Sequence, residues 1–120
     1  MKTVKTVKQF LKENPYDPIK HLNLFSHTID KDGFITVNES FNCSDLGLTK
    51  LPWKFKEVKG YFYCSYNQLT TLEGCPEIVE GRFDCSYNKL TTLDYIPEIG
   101  GEVVFNNNPL PPEEIALYNL

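Results

Sequence analysis

Along the middle of the chain, apolar and polar positions follow a fixed rhythm. A Phe-x-Cys pair puts two side chains on one face of a strand, because successive strand residues point to opposite faces. Two leucines three residues apart then follow. Phe41 and Cys43 precede Leu48 and Leu51, Phe62 and Cys64 precede Leu69 and Leu72, and Phe83 and Cys85 precede Leu90 and Leu93. A truncated copy has Val103, Phe105 and Leu110. These are the expected core positions. The spacing of Cys43, Cys64 and Cys85 gives a period of 21 residues, which shortens to 20 at the last step. A constant period in this range marks a stacked solenoid, in which each repeat buries its apolar edge against the next.

Polar positions recur with the same period. Asn67, Asn88 and Asn108 stand three residues after the second inward position. An amide there can satisfy backbone groups left unpaired where a strand gives way to a loop, since it carries two donors and an acceptor. The first repeat has Leu46 in place of this asparagine. Gly60, Gly81 and Gly101 precede the strands and are read as chain-reversal positions. Pro52, Pro76 and Pro97 stiffen a return segment expected to be extended.

The flanks read as caps, so the chain is one domain: 1–33 an N-terminal helical cap and turn, 34–110 the hairpin and repeats, 111–120 a C-terminal cap. Residues 2–13 carry Val4, Val7, Phe10 and Leu11 on one helical face, with lysines mainly opposite. Asn14-Pro15 ends that helix. Asp17 as N-cap and Pro18 in the first turn predict a second helix, with Ile19, Leu22 and Phe25 facing the stack. His27 to Cys43 reads as a β-hairpin leading into the first repeat, with Phe34–Val37 and Ser40–Cys43 as its strands, a turn at Asn38-Glu39, and an earlier turn over Asp30–Gly33. Pro111 to Tyr118 predicts a closing helix, with Ile115 and Tyr118 or Leu117 over the last strand.

The repeat phrase Phe62-x-Cys64-x-x-Asn67-x-Leu69 resembles the core of a leucine-rich repeat, with Phe and Cys in place of two leucines. The period is similar to the short bacterial class, and the tandem F-x-C-S-x-N-x-L-T-x-L phrasing resembles small repeat proteins encoded by tailed bacteriophages. It covers residues 34–110. Two departures stand out: Leu46 on the asparagine ladder, and Val58 and Val79 one position before the expected leucine. The resemblance implies an α/β repeat solenoid, curved, with a parallel sheet on the concave face. It also implies partner binding by a phage-encoded module that inhibits or redirects a host protein, such as a defence or nucleic-acid-processing enzyme.

Charge and residue chemistry narrow the function. A net charge of −4 argues against a nucleic-acid partner. The absence of a long apolar run argues against a membrane span, and the N-terminus lacks the apolar core of a secretory signal, which predicts a cytoplasmic protein. Cys43, Cys64 and Cys85 share one repeat position and read as buried thiols. They lack the short spacing of a metal site, and side chains pointing the same way suit a disulfide poorly. Asp30, Asp32, Gly33, Ile35 and Glu39 match part of an EF-hand loop, but Thr28 stands where the first Asp belongs. His21 and His27 lie outside the repeats, away from any nucleophile motif, and glycine-rich phosphate loops are absent. The expectation is a non-enzymatic module without metal or cofactor, and calcium binding over 28–39 is a third reading.

The outward positions form four columns: Ser40, Tyr61, Arg82 and Glu102; Asn42, Tyr63, Asp84 and Val104; Ser44, Ser65, Ser86 and Asn106; and Asp45, Tyr66, Tyr87 and Asn107. Tyr61, Tyr63, Tyr66, Arg82, Asp84 and Tyr87 are the expected partner-binding residues, since Tyr and Arg dominate interface hot spots. Trp53 is a second candidate surface, or else a core or cap residue. The alternative to a protein-binding module is self-association, as a homodimer or assembly component, through sheet edges.

Overall fold

The computed structural model describes residues 15–118. The expected helix over 2–13 lies outside the described residues. The chain is a β-solenoid in which each turn contributes two strands rather than one. Strands β3 (Phe41–Asn42), β5 (Phe62–Tyr63), β7 (Phe83–Asp84) and β9 (Val103–Val104) form one parallel sheet, in that order. The return segments form a second sheet: β1 (His27–Ile29), β2 (Ile35–Val37), β4 (Phe55–Val58), β6 (Ile78–Val79) and β8 (Glu98–Ile99). In this second sheet only the β1–β2 pair is antiparallel.

The two sheets explain the departure at Val58 and Val79. Both residues are fully buried strand positions facing the phenylalanine column from the return side, and Val58 pairs with Val79 across adjacent turns. Between the sheets lie Phe41, Phe62 and Phe83, fully buried and stacked with ring centroids 5.9 and 5.8 Å apart. Cys43, Cys64, Cys85, Leu69, Leu72 and Leu90 complete a core with no exposed surface.

The asparagines perform the bonding expected of them, and each links its own turn to the preceding one. Asn67 Oδ1 accepts from the backbone N–H groups of Leu46 and Leu48, each at 3.0 Å. Its Nδ2 donates to the carbonyl oxygens of Cys43, Cys64 and Ser65. Asn88 repeats this with Leu69 N–H and the carbonyls of Cys64, Cys85 and Ser86. Asn108 does so with Leu90 N–H and the carbonyls of Cys85, Phe105 and Asn106. Because the ladder reaches backward, the first turn has nothing to reach. Leu46 fits there for that reason, and packs against the core.

The corner glycines are required for a reason other than chain reversal. None of Gly60, Gly81 and Gly101 has a positive φ. A Cβ on Gly81 would instead lie 2.9 Å from Gly60 C and O, and one on Gly101 would lie 2.7 Å from Gly81 C. The turns touch backbone to backbone at this corner, which leaves no room for a side chain.

The N-terminal end is closed by a short helix, α1 (Pro18–Leu22), whose N-cap Asp17 accepts from Ile19 and Lys20 N–H. Leu22 is buried and Phe25 packs on the core, but Ile19 is exposed and does not share their face. Trp53 is buried as a cap residue: its Nε1–H donates to Pro18 O at 2.9 Å and its ring meets Phe41 edge-on at 5.1 Å. The hairpin also differs from expectation. It is β1 paired with β2 around the Asp30–Gly33 turn, with His27 opposite Val37. Asn38-Glu39 is instead a corner carrying the chain from one sheet into the other, since β2 and β3 belong to different sheets. At the far end, α2 (Pro112–Ala116) buries no residue. Tyr118 meets Phe105 at 6.0 Å, Ile115 is half-buried, and Leu117 is exposed.

Replacing Asn67 by Ala strands at least two buried N–H groups, so a loss of about 3 kcal/mol is expected in urea denaturation. Leu46→Asn should gain nothing, because no earlier turn offers it partners. Gly81→Ala should cost about 1–3 kcal/mol by forcing two turns apart, measurable in the same titration.

Candidate functional site

The solenoid register aligns outward residues of successive turns, one strand spacing apart, about 4.8 Å. This register produces one of two tyrosine pairs, and two-residue alternation along a single turn produces the other. Tyr61 and Tyr63, on either side of inward Phe62, stack with ring centroids 4.1 Å apart. Tyr66 and Tyr87, one turn apart, stack at 4.3 Å with planes within 9°. Arg82 extends the first pair: its guanidinium carbon lies 5.9 Å from the Tyr63 ring centre, and its Nε is 3.7 Å from Glu102 Oε2. Asp84 pairs with Tyr63 across the sheet. The Tyr66 phenol is held above its ordinary value by partial desolvation first, then by its neighbours Tyr87 and Asp84. All six expected residues fall in this region, with Tyr61, Tyr66 and Tyr87 exposed and Tyr63 and Asp84 half-buried.

The third column is closed in its middle, between half-buried Ser44 and exposed Asn106. Ser65 and Ser86 are buried. Ser44 and Ser65 share a hydroxyl–hydroxyl bond of 2.9 Å, and Ser86 donates to Asp84 Oδ1 at 2.6 Å. A small hydroxyl fits here because the chain bends inward toward the asparagine ladder. The Ser86 bonds also fix the Asp84 carboxylate, which accepts from Ser86 N–H as well.

Backbone conformation separates Tyr66 and Tyr87 from ordinary strand tyrosines, and periodicity alone did not disclose this. Both sit in the left-handed region, at φ 55° and 56°. The same position is Asp45 in the first turn and Asn107 in the last, at φ 57° and 60°. Asp and Asn tolerate this region, whereas a bulky residue is an outlier there. Only the two middle turns place an aromatic ring on the strained position, and both rings are exposed. The one available signal was the column itself: Asp, Tyr, Tyr, Asn.

The remaining chemistry-bearing residues have structural roles. His21 Nε2 lies 2.8 Å from Asn42 O and its ring packs edge-on against Phe41 at 5.4 Å, while His27 Nδ1 lies 2.8 Å from Phe25 O. In the 28–39 segment, Asp30 Oδ1 accepts from Asp32 and Phe34 N–H, which holds its carboxyl below the usual range, Phe34 contributing most. The Glu39 carboxylate accepts from Ser26 N–H at 2.6 Å. The segment is a paired hairpin, and its two key carboxylates are committed to backbone groups. Among the described residues no group of three metal-ligating side chains gathers, and no helix is long and apolar enough to cross a membrane. All four cysteines are free thiols. Burial raises Cys43, Cys64 and Cys75 well above the ordinary thiol value, and burial with the Asp84 charge pushes Cys85 from 9.0 up to about 12.

The fold and this face together define a small β-solenoid with one aromatic, Arg-flanked patch. No family model, no curated protein and no solved structure matches the chain.

The thiols give a pH-dependent expectation. A folded-state value raised above the unfolded one leaves stability unchanged while both states stay protonated, and removes it once the unfolded state ionises. The urea midpoint should hold steady up to about pH 9 and fall above it. Cys85→Ala should flatten part of that fall. At pH 8, thiol reagent should label Cys43, Cys64 and Cys85 only after denaturant is added.

Proposed function

We propose that this chain is a non-enzymatic protein-binding module acting through Tyr61, Tyr63, Tyr66, Arg82, Asp84 and Tyr87. The observation that carries the reading is that Tyr66 and Tyr87, both exposed on left-handed backbone, stack on each other across turns, whereas Tyr95, the third such tyrosine, stands outside any described ring pair. Such a backbone costs a bulky L-residue about 1–3 kcal/mol, and the equivalent positions at the two ends hold Asp and Asn. A residue type that folding disfavours, repeated on the surface in contact with its copy, fits a role outside folding. Tyrosine brings large, rigid contact area with few rotamers to freeze, and Arg82 adds a planar cation; both types anchor protein interfaces. The net charge of −4 and the acidic residues flanking the patch favour a protein partner over nucleic acid.

The phage-like repeat phrasing extends the proposal. In that reading the partner is a host protein, such as a defence or nucleic-acid-processing enzyme, and the module works in the host cytoplasm by occupying a surface and inhibiting or redirecting it.

Affinity capture from host lysate, followed by binding measurement with the purified captured protein, tests this. Tyr66→Asn with Tyr87→Asn is expected to abolish binding while the melting temperature stays level or rises, because Asn accepts the left-handed backbone. Binding that survives this double variant and Tyr63→Ala together would overturn the assignment of the face.

A further inference from the structure

The open end of the stack carries a second surface, read from the backbone ledger of successive turns. In the phenylalanine sheet, each turn donates three N–H groups to the next. Phe41, Cys43 and Asp45 donate to Tyr61, Tyr63 and Ser65; Phe62, Cys64 and Tyr66 donate to Arg82, Asp84 and Ser86; and Phe83, Cys85 and Tyr87 donate to Glu102, Val104 and Asn106. The equivalent donors of the last turn are Val103, Phe105 and Asn107. In the return sheet, each turn offers three carbonyls to the next. Lys56, Val58 and Gly60 accept from Glu77, Glu80 and Gly81, and Glu77, Val79 and Gly81 accept from Glu98, Gly100 and Gly101. Register continues this set: Ile78 pairs with Glu98 and Val79 with Ile99. The equivalent acceptors of the last turn are therefore Pro97, Ile99 and Gly101. β8 and β9 are the last strands of their sheets, and among the described residues no loop, cap or side-chain hydrogen bond reaches these six groups.

Their spacing has a symmetry. Acceptors 97, 99 and 101 and donors 107, 105 and 103 stand at equal distances on either side of Glu102. The chain turns from one sheet into the other at this corner, where Gly101 packs on Gly81. A two-fold axis bisecting the corner lays the acceptor arm of one copy over the donor arm of another. Gly101 O then meets Val103 N–H of the other copy, Ile99 O meets Phe105 N–H, and Pro97 O meets Asn107 N–H, each twice. Half-buried Ile99, Val103 and Phe105 all pack on the core, so the same rotation joins the two cores.

We propose that this edge is a self-association surface whose occupant is the same edge of a second copy, giving a closed, tail-to-tail dimer separate from the tyrosine face. The opposite end matches this edge less well than a second copy does. On one sheet it presents β1, an edge strand that runs antiparallel to the strands of the turns, and on the other α1 lies over it, with His21 on Asn42 O and Phe25 against Phe41 at 4.6 Å. The isologous arrangement instead meets each of these donors with an acceptor. Helix α2 must leave the opening for the arms to meet. Its hold is slight: it buries no residue and is tied by Glu114 Oε2 to Leu93 N–H and by Tyr118 against Phe105. On the axis Glu102 meets its own copy, a like-charge pair that the Arg82 ion pair only partly offsets.

Sedimentation analysis of the full chain over a concentration series tests the proposal. Expected is a monomer–dimer equilibrium that Glu102→Gln tightens several-fold by removing the like charges on the axis. Glu114→Ala should also tighten it, by releasing α2. Val103→Pro should abolish it, since the proline removes an outward N–H and leaves the monomer's bond from Phe83 to Glu102 intact. Glu102→Gln keeps the test decisive if Val103→Pro does not fold. A chain monomeric at every concentration even as Glu102→Gln would overturn the proposal. So would a dimer that neither Glu102→Gln nor Val103→Pro alters, a dimer lost in the Tyr66→Asn, Tyr87→Asn variant, or an open-ended series of larger species.

Discussion

The stack depends on one buried polar contact, the asparagine amide that joins each turn to the one before. Where the phenylalanine strand ends, the chain bends inward and its carbonyls lose the ladder that satisfied them. A buried carbonyl without a donor is costly, and here three of them face one amide: Cys43, Cys64 and Ser65 at Asn67. A side chain that both donates and accepts, fixed at one depth, therefore dictates where each turn must lie relative to the last. The constraint is local to the bend. This explains why the period can shorten from 21 to 20 without breaking the ladder. Tyr95 still matches the turn position of Gly74, and Ile99 already pairs with Val79, so the missing residue lies on the return side, away from the bend.

Fixing the turns has consequences on both sides of the sheets. Inward, phenylalanines stack nearly parallel, with planes within 13° and 9°. They leave no volume for polar groups, and the cysteines at the next inward position stay neutral. Outward, any residue type repeated in a column is brought face to face with its copy. Tyr66 against Tyr87 is such a case. The same register that builds the core thus builds the patch, and the strained tyrosines are held by bonds they do not choose: Tyr66 N–H to Ser86 O, with Asn67 anchored next to it.

Much of this was legible in the residues. The period, the inward Phe, Cys and Leu positions, the asparagine role, the Asp17-Pro18 helix start and the tyrosine patch all follow from spacing and side-chain chemistry. What escaped were features set by the neighbouring turn. The second sheet was hidden because the return strands are two to four residues long and lack clean alternation; β4 is buried only at its ends, Phe55 and Val58. The corner glycines suggested a dihedral requirement, whereas their role is close approach to another turn. Phe34 to Val37 alternates whichever side its partner lies on, so alternation does not say which connection forms the hairpin. Strict alternation puts Ser65 and Ser86 on the surface, and it fails once the chain leaves the strand and takes a left-handed residue.

The two ends of the molecule differ in how their last turn is finished. At the N-terminal end His21, Phe25 and Trp53 pack against Phe41, Tyr16 packs on Trp53, and His21 reaches the backbone of the first turn at Asn42 O. At the C-terminal end a five-residue helix lies by the apolar opening, and among the described residues no further strand follows β8 or β9. An uncovered row of this kind is a template for another strand, and native proteins usually blunt it with charge, proline or a covering element. Here the blunting is partial: Glu102 sits at the corner and prolines follow at 109, 111 and 112. Two charges lie on the edge, Glu98 on the return arm and Glu102 at the midpoint. A charge on an arm, as at Glu98, opposes every strand alike. Placed at the midpoint, Glu102 acts most strongly in the one arrangement where two copies meet about it, so the residue that limits self-pairing also reports on it.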